Sequence, residues 1–302
     1  MIRILATDGI EQAAAEALRA KGFEVVEQFY PAEELGKQLK DFDVLVVRSA
    51  TKVRQPIIDE AAEAGRLKLV IRGGVGIDNI DAKYAEEKGI AVRNTPNASS
   101  ISVAELTLGH ILAVTRFVAL ANVTMRDGKW EKKKYEGVEI FGKTIGLVGF
   151  GRIAKEVAKR AHALGMKVKY TDICGKAEGF DEFEFCDLNE IITTSDFVSM
   201  HIPFSKADGA LIGEKELNAM KDGAFVINCS RGGIVDEAAL LAALNSGKIA
   251  GAALDVFEDE PTANEALVNH PRVSVTPHIG ASTVEAQKRI GEEIVETIEK
   301  FF

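Results

Sequence analysis

The stretch TIGLVGFGRIA, Thr144–Ala154, decides the fold of this chain. An apolar run typical of a buried strand leads into a match to the pattern G-x-G-x-x-G/A. Gly149 would permit a tight turn, Gly151 would let the backbone approach a pyrophosphate, and the small Ala154 would let a helix pack on the strand. Backbone N–H groups at the start of a helix from Arg152 would then face the phosphates. The stretch therefore predicts a strand, a phosphate-binding turn and a helix.

An acidic residue lies where such a unit contacts the ribose of a dinucleotide. Asp172 follows the strand-like run Lys167–Tyr170, about twenty residues after the glycines. A carboxylate there accepts hydrogen bonds from a ribose diol and repels a 2′-phosphate, which favours NAD over NADP. The alternatives are a structural glycine turn and a carboxylate that only caps the strand. The combination of strand, loop, helix and acid favours NAD binding.

The rest of the chain alternates strand-like and helical segments in two series. Such alternation predicts parallel sheets with helices on both faces. The later series predicts a doubly wound sheet of about six strands, at Thr144–Val148, Lys167–Tyr170, Phe197–His201, Ala224–Asn228, Gly251–Leu254 and Val273–Val275. The first third has strand-like runs at Ile2–Ala6, Phe23–Val26, Val44–Val47 and Leu67–Ile71. We therefore expect an α/β protein with two parallel sheets.

Two long helices and a turn complete the predicted organisation. Ser102–Leu120 is apolar at helical spacing, with Ser102 as its predicted N-cap. Ser282–Phe302 ends the chain as a Glu-rich helix, and its pattern alone does not assign it to either series. Asn94–Asn97 predicts a turn and a hinge between the two series.

Composition excludes several classes of protein. The length of 302 residues predicts two domains, and 46% apolar residues are ordinary for a globular protein. The 37 Lys and Arg against 46 Asp and Glu give a net charge of −9, which argues against broad binding to nucleic acid or to a membrane surface. The three cysteines form no C-x-x-C pair, so we expect no disulfide framework and no metal site. We see no signal peptide, and we expect a cytoplasmic protein.

Three segments late in the chain carry groups suited to oxidising an alcohol. Each follows a predicted strand, so all three would lie at the carboxyl edge of the sheet, where ligands bind in open α/β folds. His278 is suited to act as the base, and Arg231 is suited to bind a substrate carboxylate. A carboxylate paired with the histidine would orient it, and Glu258, Asp259 and Glu260 are candidates that spacing cannot separate. A surface charge, an acidic turn and a helix cap are the alternative interpretations.

Four motifs together resemble the D-2-hydroxyacid dehydrogenase family, and the resemblance covers nearly the whole chain. The motifs are Val148–Ile153, Asn228–Ile234, Leu254–Pro261 and Pro277–Ser282. The resemblance implies that Arg231, Glu260 and His278 form the catalytic set, because Glu260 is the Glu immediately before Pro. It also implies a Rossmann NAD-binding domain, residues 94–283, inserted in a flavodoxin-like substrate-binding domain, residues 1–93 plus 284–302. The active site would lie in the cleft between them.

The same resemblance implies a cofactor site and an oligomeric state. The residues expected to bind NAD are Val75, Gly149, Gly151, Arg152, Ile153, Asp172, His201, Ile202, Pro203, Cys229, Ser230, Asp255, Gly280 and Ala281. A homodimer is expected through the NAD-binding domain, with the helix 102–120 and the segment around Trp130 at the interface. The run Lys132–Lys134 on that segment is either a solvated turn or a source of a cation for the neighbouring subunit's site.

Two loops in the first third carry cations that follow successive predicted strands. The loop after Val44–Val47 combines two cations with two hydroxyls, which suits a phosphate. The loop after the next strand has glycines whose backbone N–H groups would face an anion. The residues expected to bind substrate are Arg48, Lys52, Arg72, Gly73, Gly74 and Asn79. For each cation taken alone, an ordinary surface charge is the alternative.

Further similarity narrows the expected substrate. The stretches Val47–Val53, Asn94–Asn97 and Asp127–Trp130 are similar to family members that oxidise D-3-phosphoglycerate to 3-phosphohydroxypyruvate in serine biosynthesis. Many such members carry C-terminal domains that sense serine; this chain stops at Phe302, so we expect no inhibition by serine through such a domain. Two alternatives stay open. One is another D-2-hydroxyacid dehydrogenase, such as a glyoxylate or hydroxypyruvate reductase. The other is a non-catalytic NAD-sensing module that resembles transcriptional corepressors.

Overall fold

The computed structural model describes residues 1–302, and contacts between residues divide the chain into two units. Residues 1–99 and 281–302 form the first unit, and residues 100–280 form the second. The strands are β1 (Arg3–Ala6), β2 (Glu24–Glu27), β3 (Val44–Val47), β4 (Leu69–Arg72), β5 (Ala91–Asn94), β6 (Thr144–Val148), β7 (Lys167–Thr171), β8 (Glu184–Phe185), β9 (Phe197–Met200), β10 (Ala224–Asn228), β11 (Ile249–Leu254) and β12 (Val273–Val275). The α-helices are α1 (Gln12–Ala20), α2 (Ala32–Gln38), α3 (Gln55–Glu63), α4 (Ala82–Glu87), α5 (Ser100–Arg116), α6 (Val118–Arg126), α7 (Arg152–Ala163), α8 (Leu188–Thr194), α9 (Glu214–Ala219), α10 (Glu237–Ser246), α11 (Glu265–Val268) and α12 (Val284–Phe301).

The first unit contains a five-stranded parallel sheet in the order β2-β1-β3-β4-β5. This is the strand order of flavodoxin-like folds. All four side chains of β3 are buried, as a central strand covered on both faces requires. The predicted doubly wound architecture is therefore confirmed for this unit.

The C-terminal helix α12 belongs to the first unit. Its buried side chains Ile290, Ile294 and Ile298 recur every four residues and join the apolar core that includes Ile4 of β1. Thr283 caps the helix, because its hydroxyl accepts a hydrogen bond of 3.0 Å from the backbone N–H of Ala286. One face of the first sheet is thus covered in part by α12.

The second unit contains a seven-stranded parallel sheet in the order β8-β7-β6-β9-β10-β11-β12. The chain winds outward from β6 in one direction and then returns to start again at β9, which is the doubly wound Rossmann arrangement. The point where the direction reverses lies between β6 and β9, and ligands bind at such a point. The loop after β6 is the glycine motif at Gly149.

The sheets contain two strands that the pattern did not predict, β5 and β8. Both are edge strands, and only Val92 in β5 is buried while both residues of β8 are exposed. With one buried side chain in β5 and none in β8, neither strand has the apolar run by which the other strands, including the edge strands β2 and β12, were predicted.

The predicted single helix Ser102–Leu120 is wrong in its bounds and its continuity. The chain forms α5 and α6, with a bend of 65° between them at Phe117, whose φ of +55° lies in the left-handed region. Ser102 is buried inside α5 and does not cap it. Phe117 packs against Tyr135, with ring centroids 6.0 Å apart, and no glycine or proline in the sequence marks the break. No single helix is long and apolar enough to span a membrane; α5 and α6 together reach that length and composition only as a bent pair.

Candidate active site

Three neighbouring strands of the second sheet end in the loops that carry the predicted catalytic residues. β10 pairs with β11, and β11 pairs with β12, all in parallel. Their carboxyl ends therefore meet at one edge of the sheet. Arg231 follows β10, Glu260 follows β11, and His278 follows β12.

His278 and Glu260 form a direct pair. The imidazole Nδ1 lies 2.7 Å from the Glu260 carboxylate Oε2, and Oε1 of the same carboxylate accepts a hydrogen bond of 3.2 Å from the backbone N–H of Phe257. The structure thus separates the acids that spacing could not, because Glu258 instead accepts a hydrogen bond from the backbone N–H of Glu237, and Asp259 makes no hydrogen bond or ion pair.

The charge of Glu260 follows from its surroundings. Partial burial raises the pKa of this carboxyl, but the hydrogen bond with His278, the charges of His278 and Arg231, and the N–H of Phe257 lower it by more. The net result is a pKa below the usual range, so the group is ionised at neutral pH. An ionised carboxylate can only accept a hydrogen bond, so Nδ1 of His278 carries the proton and Nε2 has a free lone pair.

The loop of Arg231 is held by its neighbours. The Asn228 side-chain amide donates a hydrogen bond of 2.8 Å to the carbonyl of Arg231, and its oxygen accepts one of 3.1 Å from the N–H of Ser230. Gly232 lies so close to the next loop that a Cβ would be 1.6 Å from the carbonyl oxygen of Phe257. Only glycine allows this approach. Neither Asn228 nor Gly232 was assigned this role from the sequence, although both lie in the motif around Arg231.

The glycine loop after β6 fits a dinucleotide. Gly149 has a φ of +88°, and a Cβ there would lie 2.6 Å from the carbonyl oxygen of His201. Gly151 is different, because its φ is −73° and a Cβ would meet no atom within 4 Å. The protein itself thus leaves space in front of Gly151, as a bound pyrophosphate requires. Ala154 is fully buried in the contact between helix and sheet.

Asp172 has two backbone partners. Its Oδ2 accepts a hydrogen bond of 2.7 Å from the N–H of Phe150, and its Oδ1 accepts one of 2.8 Å from the N–H of Cys174. Burial raises the pKa of this carboxyl, but these N–H groups and the charge of Lys155 lower it below its usual value. Asp172 therefore ties the glycine loop to the end of β7 as an ionised group.

The other residues expected to bind the cofactor divide between the units. Arg152 and Ile153 begin α7. His201, Ile202 and Pro203 follow β9; the ring of His201 contacts the Ser199 hydroxyl at 2.9 Å, and burial lowers the pKa of His201 to about 4. Cys229 is buried, which raises the pKa of its thiol to about 12, and Ser230 follows it. Val75 and Ala281 belong to the first unit.

Asp255 and Gly280 are packed into the base of the histidine loop. Asp255 is 1% exposed, and its carboxylate accepts hydrogen bonds from the backbone of Ile279 and Gly280, at 2.8 Å each, and from the Thr276 hydroxyl at 2.5 Å. A Cβ on Gly280 would lie 3.1 Å from Oδ2 of Asp255. Asp255 therefore holds the loop that carries His278. The sequence predicted only that Asp255 contacts the cofactor.

In the first unit, the loop with Arg48 and Lys52 is clamped from two sides. Asp8, after β1, accepts hydrogen bonds from the backbone of Arg48 at 2.7 Å and from the Thr51 hydroxyl at 2.6 Å. The amide of Asn79 donates to the carbonyls of Arg48 and Thr51, at 2.7 Å each. Asn79 thus holds the loop, and Asp8, to which the sequence assigned no role in substrate binding, does the same. Arg48 and Lys52 form no ion pair in the structure.

The N–H groups of Gly73 and Gly74 bond within the chain, and their contact with substrate stays a prediction. Gly73 donates its N–H to the carbonyl of Val47 at 2.8 Å, and Gly74 donates to that of Arg72 at 2.9 Å. Both groups are engaged because β4 ends in a tight turn, in which Gly74 has a φ of +147°. The Arg72 guanidinium lies over Gly74, where a Cβ would be 1.4 Å from Nη1. Glycine is needed here to make room for arginine.

Comparison with known proteins identifies clear relatives. Residues 108–280 match the family described as D-isomer specific 2-hydroxyacid dehydrogenase, NAD binding domain. A D-3-phosphoglycerate dehydrogenase of Methanocaldococcus jannaschii is 45% identical over 99% of this chain and 57% of its own length. A hydroxypyruvate reductase of Thermotoga maritima is 47% identical over 99% of this chain and 97% of its own length. The TT0316 protein of Thermus thermophilus has the same fold, with a TM-score of 0.89 at 35% identity over 98% of this chain and 95% of that one.

The chain covers very different shares of the two curated relatives. It spans little more than half of the phosphoglycerate dehydrogenase and nearly all of the hydroxypyruvate reductase.

The two glycines of the loop give a matched pair of variants. We expect Gly151→Ala to fold with a urea midpoint close to that of the wild type, because its Cβ meets nothing, but to bind NADH at least tenfold more weakly. Gly149→Ala should lose both stability and NADH binding, because its Cβ would strike the His201 carbonyl at an unfavourable φ. Urea unfolding and titration of NADH fluorescence measure the two effects. Wild-type NADH affinity in Gly151→Ala would contradict the assignment of this loop to the pyrophosphate.

Proposed function

Because the chain belongs to the D-isomer specific 2-hydroxyacid dehydrogenase family, we propose that it oxidises D-3-phosphoglycerate to 3-phosphohydroxypyruvate with NAD, the first step of serine biosynthesis. The observation that carries the proposal is the pairing of His278 with Glu260 at the carboxyl edge of a Rossmann sheet, with Nδ1 of the histidine 2.7 Å from Oε2 of the carboxylate. NAD, when bound, supplies the acceptor for the hydride. The remaining tasks fall to side chains of this chain.

His278 is the proposed base. Its Nε2 lone pair takes the proton of the substrate hydroxyl, while Nδ1–H remains bonded to Glu260. The imidazolium that forms is stabilised by the ionised carboxylate beside it. In the direction of keto-acid reduction the same imidazolium returns the proton to the oxygen.

Arg231 is the proposed carboxylate-binding residue. Its planar guanidinium can form two parallel hydrogen bonds with a carboxylate, which fixes the hydroxyl carbon of the substrate in one orientation. Asn228 and Gly232 support this role, because they hold the backbone on either side of Arg231. Asp172 is proposed to accept hydrogen bonds from the ribose of NAD and to disfavour NADP.

Arg48 and Lys52 are the proposed phosphate-binding residues, with Arg72 assigned to the carboxylate end. Two cations without acidic partners lie in a loop that Asp8 and Asn79 hold in place. A fixed cationic loop suits a dianion better than a neutral hydroxymethyl group. The phosphorylated substrate is therefore favoured over hydroxypyruvate within the same family.

A second candidate is reduction of hydroxypyruvate. The specific observation in its favour is the Thermotoga maritima hydroxypyruvate reductase, of which this chain matches 97% of the length. The catalytic set would be the same for both reactions, so only the substrate loops distinguish them.

NADH consumption with 3-phosphohydroxypyruvate, hydroxypyruvate and glyoxylate tests the proposal. We expect the phosphorylated keto acid to have the highest kcat/KM, because only it can use Arg48 and Lys52. Arg48→Ala should raise its KM about tenfold or more, as the loss of one charge-assisted hydrogen bond predicts, and should leave the KM for hydroxypyruvate unchanged. Lys83→Ala, an exposed cation on α4, is the control. Equal rates without the phosphate would favour the reductase, and NADH binding without any turnover would favour a sensing module.

Replacement of Glu260 should slow the reaction. Glu260→Gln keeps the size of the side chain but removes the negative charge that orients His278 through its Nδ1. We therefore expect kcat for keto-acid reduction to fall about tenfold or more, because the carboxylate no longer stabilises the imidazolium that gives up the proton. Asp259→Asn is the matched control, because that neighbouring acid does not contact His278. An unchanged kcat in Glu260→Gln would remove Glu260 from the mechanism.

We also propose a homodimer through the second unit. The segment from α5 to the start of β6 exposes eight large apolar side chains, Ile101, Leu112, Val118, Val123, Met125, Trp130, Val138 and Phe141. No residue of α6 is buried, so a helix with an apolar face lies uncovered in the single chain. A second copy would cover it. Light scattering should give a mass near twice 32.6 kDa, and Val123→Asp should give monomers while Phe29→Asp, at an exposed site in the first unit, should not. A monomeric wild type would overturn this proposal.

A further inference from the structure

The histidine loop contains a backbone conformation that must be held from outside. His278 has a φ of +54°, in the left-handed region that residues other than glycine rarely adopt because it strains the backbone. The loop Thr276–Gly280 has no regular secondary structure. Whatever holds this loop also fixes the direction in which the imidazole of His278 points.

Asp255 holds the loop on both sides of His278. Before the histidine it accepts a hydrogen bond from the Thr276 hydroxyl, and after it from the N–H groups of Ile279 and Gly280. Because the carboxylate is 1% exposed, water does not compete for these bonds. The buried Asp255 carboxylate thus binds the backbone or side chains of residues on both sides of His278.

His110 adds a further connection that reaches Asp255 through Thr276. This histidine is 3% exposed and lies on α5. Its Nε2 is 2.8 Å from the Thr276 hydroxyl, and its Nδ1 is 2.9 Å from the Ser274 hydroxyl. Both ring nitrogens are therefore engaged with hydroxyls on β12 or immediately after it.

The protons in this network can be assigned. The hydroxyl of Thr276 has one proton, which it donates to Asp255, so at its oxygen it can only accept from His110. Nε2 of His110 must then carry a proton, and Nδ1 accepts the proton of Ser274. Burial lowers the pKa of His110, against the opposing charge of Asp255, which agrees with a neutral ring. The order of donation is Ser274 to His110 to Thr276 to Asp255.

We propose that His110 is a positioning residue for His278. Its Nε2–H directs the Thr276 proton onto Asp255, and this fixes the loop that presents the His278 imidazole. This inference rests on the proposed role of His278 as the base. His110 touches neither the reacting atoms nor the His278–Glu260 pair, so it acts only through Thr276 and Asp255.

Two amide substitutions at His110 distinguish the hydrogen bond made by Nε2 from the one made by Nδ1. His110→Gln places an amide N–H near the position of Nε2 and can still donate to Thr276. His110→Asn reaches only the position of Nδ1 and cannot. We expect His110→Asn to lower kcat roughly tenfold or more with little change in KM, because small displacements of a catalytic group are costly, and His110→Gln to retain most of kcat.

Substitutions at Thr276 test the same path. Thr276→Val should resemble His110→Asn, Thr276→Ser should restore kcat, and the double variant His110→Asn/Thr276→Val should be no worse than either single one, because both break one chain of bonds. Thr115→Val is the control for a lost buried hydroxyl, since Thr115 lies on α5 and its hydroxyl donates only to carbonyls of that helix. It should lower the unfolding midpoint without changing kcat.

Amide hydrogen exchange gives a readout that does not depend on activity. The N–H groups of Ile279 and Gly280 should exchange faster in His110→Asn and Thr276→Val than in the wild type, at a temperature where all variants are folded. Loss of thermal stability in His110→Asn with unchanged kcat and unchanged exchange would make His110 a purely structural residue and overturn the proposal. A wild type that reduces none of the three keto acids would instead refute the proposed function, and the exchange measurements would still decide whether His110 holds the loop.

Discussion

Parallel pairing of β10, β11 and β12 brings three loops from distant parts of the chain to one edge of the second sheet. Arg231, Glu260 and His278 are separated by up to 47 residues along the chain, yet each follows a strand that is hydrogen-bonded to its neighbour. The same sheet reverses its winding direction between β6 and β9, where the glycine loop lies. Strand order alone thus supplies the framework on which both the cofactor loop and the acid–base pair are built.

Close approach of backbone segments then refines this framework. Gly149 is glycine because the His201 carbonyl is close, and Gly232 because the Phe257 carbonyl is close. Gly151 has no protein neighbour that would exclude a side chain. Glycines that look alike in the sequence are therefore required for different reasons. Gly149 and Gly232 are required by packing within the chain, and Gly151 by space for a ligand.

The sequence predicted the buried strands, the glycine loop and the acidic end of β7, because each depends on local pattern. It did not predict β5 and β8, which have one buried side chain between them, or the bend at Phe117, which no glycine or proline marks. Asp8 and His110 were also missed, since their partners lie 40 and more residues away. Resemblance to a family selected Glu260 among three acids, and the hydrogen bond to His278 gives the physical reason for that choice.

The return of α12 to the first unit has a consequence for how the chain acquires its structure. Residues 100–280 are contiguous, so the second unit can form its entire core as soon as they have left the ribosome. The first unit begins the chain, but its apolar core is incomplete until Ile290, Ile294 and Ile298 have been synthesised. Residues 1–99 are therefore synthesised before the second unit but complete their core after it, and until then part of one apolar face of the first sheet stays uncovered.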